Sequence, residues 1–96
     1  LAKLKMFAAE DRKLGVFLTP FFFLHTGQAL RAWSEIVNDR TTVVGKHPAD
    51  FSLSQIGEFD DADGSIVPHK PTQVATALEY LKAERPQTIT PIAAGV

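Results

Sequence analysis

The side chains able to do chemistry are few in this chain and widely spread. His25, His47 and His69 stand far apart with no cysteine beside them, whereas structural zinc sites set their ligands in pairs a few residues apart. Chance placement in turns accounts for the three better than metal binding does. Asp60, Asp61 and Asp63 before Gly64 invite a calcium loop, which needs oxygen ligands at alternate positions before a glycine and a late glutamate. With Gly64 as that glycine, the first ligand position falls on Phe59 and the last on Lys70. The pattern fails, and a solvated hairpin turn explains the acids. His47 and Asp50 with Ser52 or Ser54 have the residue types of a nucleophilic set, yet no strained nucleophile turn or glycine-rich oxyanion loop accompanies them. Nor does a phosphate-cradling glycine loop occur. The expectation is a protein that is not an enzyme, with no catalytic residue, metal or cofactor.

One combination has the chemistry of nucleic-acid contact. Aromatic side chains on a sheet stack bases and basic neighbours hold phosphates, and here Phe21-Phe22-Phe23 accompanies Lys3, Lys5, Arg12 and Lys13. Alternation sends Phe22 to one face of its strand and Phe21 and Phe23 to the other, so both faces cannot be open to solvent. Burial preference favours core packing for most of the three, and cover by a second copy of the chain is a further possibility. The candidate nucleic-acid contacts are therefore Lys3, Lys5, Arg12, Lys13, Phe21 and Phe23. Lys3 and Lys5 share a strand face, and a hairpin carries Arg12 and Lys13 to its far end. Doubled in a dimer, the cluster would present a basic strip, with the acidic turn at Asp60 confining a strand of DNA to the opposite end.

These side chains need a scaffold, and the local patterns supply one. Ala2 to Ala9 alternates Leu4, Met6 and Ala8 against Lys3, Lys5 and Phe7, which predicts a half-buried strand. Glu10 to Gly15 is a turn. Val16 to Leu24 reads as a second strand, with Pro20 marking an edge or a bulge because it cannot donate to a ladder. Thr26 is placed to cap a helix over 27–38, whose Leu30, Trp33 and Val37 recur at helical spacing. Thr41 to Gly45 is a connection, with an extended piece at 42–44. His47 to Asp50 is a turn around Pro48. From Phe51 to Phe59 the chain alternates again, with Phe51, Leu53, Gln55, Gly57 and Phe59 on one face. Asp60 to Gly64 turns it back at Ser65. Pro68 and Pro71 then break the chain, and Thr72 caps a second helix over 72–82, an extended start being the competing reading. The order β-β-α-β-β-α, with short turns inside each strand pair, predicts a small α+β domain over residues 1–82. Its antiparallel sheet comes from two hairpins, with the amphipathic helix on one face. Residues 83–96 read as an extended or disordered tail.

Composition bounds the class. At 45% hydrophobic and 22% charged residues, the chain is an ordinary globular domain. The absence of cysteine excludes disulfides and thiolate sites. The nearly uncharged run from Leu14 to Ala32 is interrupted by Gly15, Pro20, His25 and Arg31 and does not read as a membrane span, nor does the start resemble a signal peptide. A net charge of −1 lacks the strongly basic signature of a dedicated nucleic-acid binder. The first 25 residues are nonetheless basic and the last 46 acidic. More apolar residues than one sheet face and two helices need, with Pro20 inside an aromatic strand, predict a homodimer or higher oligomer.

Several segments in series resemble the small nonstructural protein of gokushoviruses, the microvirus subfamily of tailless single-stranded DNA phages. They are Lys3-Leu4-Lys5-Met6-Phe7, Asp11 with Lys13, Pro20-Phe21-Phe22 and Gln28-Ala29-Leu30-Arg31-Ala32-Trp33, the last similar to an "EAxRxF" helix with Gln28 in the place of its acid. Val37-Asn38-Asp39 follows. Gly45-Lys46-His47-Pro48-Ala49-Asp50-Phe51 comes next, then Ile56-Gly57-Glu58-Phe59-Asp60-Asp61 with Gly64. The likeness runs from residue 3 to about residue 82. It implies a non-capsid protein made in the host bacterial cytoplasm, acting in genome replication around the switch to single-stranded DNA synthesis and packaging. It brings no catalytic residues. Two mechanisms fit: weak, direct binding of single-stranded DNA, or a protein-binding adaptor docking on the replication initiator or procapsid without touching DNA. Net charge favours the adaptor, while the basic first 25 residues keep DNA contact in play.

Overall fold

The computed structural model describes residues 2–82, so the tail expected at 83–96 lies outside the described residues. The chain is α+β, with a five-stranded antiparallel sheet built on β1 (Lys3–Asp11). β2 (Val16–Phe17) and β3 (Phe21–Phe23) pair with one edge of β1. β4 (Phe51–Asp60) pairs with the other edge along its whole length, from Lys3 opposite Asp60 to Asp11 opposite Phe51. β5 (Ser65–Thr76) completes the sheet beyond β4.

The expected second strand is thus two short ones, interrupted around Pro20, which has no N–H to donate. The Leu18 N–H still reaches the Ala9 carbonyl at 2.8 Å and keeps the chain on the edge of β1. Both hairpin turns close on a glycine in the left-handed region, Gly15 at φ 73° and Gly64 at φ 75°, where a Cβ would be strained. The tip acids are occupied by the turn: Asp60 Oδ1 accepts from the Ala62 N–H and Asp63 Oδ1 from the Ser65 N–H.

α1 (Thr26–Val37) carries Ala29, Trp33 and Val37 at four-residue spacing, all fully buried. The cap is one residue earlier than expected. The His25 N–H is accepted by Gln28 Oε1 at 3.0 Å, the contact that a glutamate or glutamine in the first turn makes in a capping box. The helix packs on a sheet face made by Phe7, Ala9, Phe51, Leu53 and Ala75, and Trp33 Nε1 donates to the Thr76 carbonyl.

Three expected features differ. The piece at 42–44 is not extended, because the Thr42 hydroxyl accepts from the Gly45 N–H and caps the short helix α2 (Val43–Lys46). The alternation of β4 is not continuous. Phe7 pairs with Gln55 and Met6 with Gly57, leaving Ile56 as a bulge, so Gly57 and Phe59 move to the face opposite Phe51 and Leu53. The second helix is four residues, α3 (Ala77–Tyr80), capped by Thr76 rather than Thr72. Before it, β5 runs straight through Pro68 and Pro71. It tolerates them as an edge strand whose register slips opposite Ile56. The order therefore departs from β-β-α-β-β-α.

Candidate interaction surfaces

The six candidate contacts do not assemble into one surface. Lys3 stands opposite Asp60 and Lys5 opposite Glu58 across the β1–β4 ladder, so each lysine has an acid as its cross-strand neighbour, although neither forms an ion pair among the described residues. The acidic turn lies beside these lysines rather than at the far end: the Asp61 N–H reaches the Ala2 carbonyl at 3.0 Å, and the Ala2 N–H reaches Asp61 Oδ1 at 2.6 Å. Asp63 is held below the usual carboxylate range, chiefly by the Ser65 backbone N–H and hydroxyl, with a smaller pull from Lys3. Arg12 and Lys13 follow the opposite end of β1, about 25 Å away at roughly 3.3 Å per residue. There Arg12 Nη2 donates to the Ala49 carbonyl and the Arg12 N–H to the Asp50 carbonyl, both at 2.9 Å.

The phenylalanines divide as alternation requires. Phe21 and Phe23 are half-buried on the helix-bearing face. Phe21 stacks on Phe7 with centroids 6.2 Å apart and meets Phe23 edge-on at 5.9 Å. These rings are packing partners and offer no free stacking platform. Phe22 goes to the other face, edge-on to Phe59 at 5.7 Å, and remains 41% exposed.

That other face is the feature that strand alternation alone did not locate. Cross-strand pairing aligns Phe22 with Met6, Leu4 with Phe59, and Phe59 with Ile66. The row is apolar from one sheet edge to the other. The buried core around α1 lies on the opposite face, and Ile66 stays 55% exposed. The signal was present in the alternation of Leu4, Met6 and Ala8. Its reach across β4 and β5 depends on the Ile56 bulge, which brings Phe59 over to it.

Ser52 and Ser54 are buried in the sheet, and Ser52 Oγ has no hydrogen-bond partner, so no base is positioned on it. Among the described residues no group of three or more His, Cys, Asp or Glu is placed to hold a metal ion. None of the described helices is long and apolar enough to cross a membrane.

No curated protein and no solved structure matches the chain. A protein-family model does match, over residues 4–80, a span that covers α1, α2, α3 and, apart from Lys3, all five described strands. Its description is Phage ORF5 protein, and the chain belongs to that phage family.

Proposed function

We propose that this phage protein is a nonstructural accessory of genome replication of the gokushovirus kind. It acts around the switch to single-stranded DNA synthesis and packaging in the host cytoplasm, and it works by binding rather than by catalysis. Family membership supports the phage setting, and the series of motifs between Lys3 and Gly64 supports the process. The mechanism that the geometry favours is the adaptor, a self-associating protein that docks on other viral replication or assembly proteins.

The observation that carries this reading is the apolar row of Leu4, Met6, Phe22, Phe59 and Ile66 on the sheet face away from α1. Contiguous apolar surface of this kind marks interaction sites on soluble proteins. A second copy is the occupant we assign. A row running across the sheet suits two-fold self-pairing, and a net charge of −1 per chain opposes that pairing little. Sedimentation of the wild type at micromolar concentration should give a dimer or higher oligomer, and Phe22→Asp or Ile66→Asp should give monomer with unchanged secondary structure. A wild-type monomer would remove this mechanism. The process has its own test. An early stop codon in the gene should leave double-stranded replicative DNA accumulating while single-stranded genomes fail to appear, and normal single-stranded yield would refute it.

Direct contact with single-stranded DNA is the second reading. Lys3 and Lys5 face acids, so support for it comes from cations at the helix end of the molecule.

A further inference from the structure

The loop that follows α1 is locked by its own hydrogen bonds. The Thr42 hydroxyl reaches the Ile36 and Asp39 carbonyls, both at 2.8 Å, and accepts from the Gly45 N–H at 2.9 Å. Gly45 sits so close to the loop that a Cβ there would fall on the Asp39 carbonyl. The two flanks of the loop are thereby held in a set relation, Arg40 on one and Lys46 on the other. Both line a single cleft of about 460 Å³, together with Gly45, Pro48 and Leu81, a volume within the range of small-molecule sites.

Neither Arg40 nor Lys46 forms an ion pair among the described residues. The acid within the loop, Asp39, is turned to Thr41, whose hydroxyl donates to Oδ1 at 2.6 Å and whose N–H donates at 2.9 Å. Arg12 is anchored to the same 48–50 turn that supplies Pro48. A hydrogen-bonded loop that sets an arginine and a lysine along one cleft is suited to a group of diffuse negative charge, and Arg in particular to phosphate oxygens.

The geometry points to a phosphate-recognition site in this cleft, with Arg40 and Lys46 on the phosphate and Pro48 and Leu81 as apolar walls for the attached sugar or base. A phosphate reaches such a site either within a strand or on a free nucleotide. Naming a single strand of DNA as the source rests on the replication reading above, whereas the cleft's chemistry does not.

Two probes separate the sources: labelled oligothymidylate, followed by anisotropy, and thymidine monophosphate, followed by amide shifts of Gly45 and Lys46. At about −0.7 in log–log slope per phosphate contacted on a single strand, two contacts predict a loss of about sevenfold in oligonucleotide affinity between 50 and 200 mM salt. Arg40→Gln with Lys46→Gln should abolish that binding, while Lys70→Gln, an exposed lysine of β5 that does not line the cleft, leaves it unchanged. Both altered side chains are exposed, so the double variant should keep the wild-type circular dichroism. Binding of the oligonucleotide alone identifies a strand as the ligand, and equal shifts with the monophosphate identify a free nucleotide. The inference is overturned if neither probe moves the Gly45 and Lys46 amides at low salt, or if the double variant binds as the wild type does. Failure of the adaptor mechanism would appear separately, in sedimentation.

Discussion

Trp33 holds the helix to the sheet, and its removal is the sharpest test of the architecture. The side chain is fully buried among Phe7, Leu53 and Ala77, and its indole N–H donates to the Thr76 carbonyl at 3.2 Å. That bond ties the middle of α1 to the end of β5, 43 residues away. Trp33→Ala removes the packing and the donor together and should cost about 3–5 kcal/mol. Trp33→Phe keeps most of the apolar contact and leaves the Thr76 carbonyl without this donor, for about 1–3 kcal/mol. Small domains hold only about 5–15 kcal/mol in total, so the alanine variant should sit close to unfolding. Its melting temperature should fall by about 12 °C or more. Trp33 is the sole tryptophan, so its fluorescence is lost with it and urea unfolding must be followed by circular dichroism. This packing assignment fails if Trp33→Ala costs less than about 1 kcal/mol, as surface substitutions do. It also fails if the phenylalanine variant is as unstable as the alanine one.

Gly57 tests the bulged half of the sheet: a Cβ there would stand 2.7 Å from the Val67 carbonyl oxygen and 3.2 Å from Pro68 Cα. Gly57→Ala should therefore cost about 1–3 kcal/mol as overpacking, while Gly27→Ala, with open space around its Cβ, should be neutral or slightly stabilising; equal effects would remove the close β4–β5 approach. Asp39 tests the loop behind the Arg40 cleft. The Thr41 hydroxyl and then its N–H hold the Asp39 carboxyl below its ordinary value of 3.8. A carboxyl whose folded pKa is depressed stabilises the fold above its unfolded pKa, and that contribution disappears as pH falls from there through the folded value. By carbon-detected NMR, Thr41→Val should raise the Asp39 midpoint toward 3.8 and narrow that acid window, and an unchanged midpoint would refute the contact.

Several local elements were legible in the sequence, although the short-range caps at Thr42 and Thr76 were not. Alternation located β1 and β4, helical spacing found Trp33 and Val37 as the buried stripe, and Asp60 to Gly64 announced the turn at which φ becomes positive. Pro20 announced the interruption of the edge strand. Strand length past Pro68 and Pro71 was not legible, because an edge strand tolerates proline and only the sheet makes β5 an edge. Nor was the face of Gly57 and Phe59. Side chains alternate with period two, so one bulged residue at Ile56 moves everything beyond it to the other side. The candidate surfaces were decided at the same level. Lys3 and Lys5 look like free cations along the chain, and they lie opposite Asp60 and Glu58 only because β1 pairs with β4, more than fifty residues on. Composition and local pattern thus determined β1, β4, α1 and the turn at Gly64, and which residues are apolar. The long-range pairing of β1 with β4 decided which charges meet, and left Phe22, Phe59 and Ile66 together on the face away from the helix.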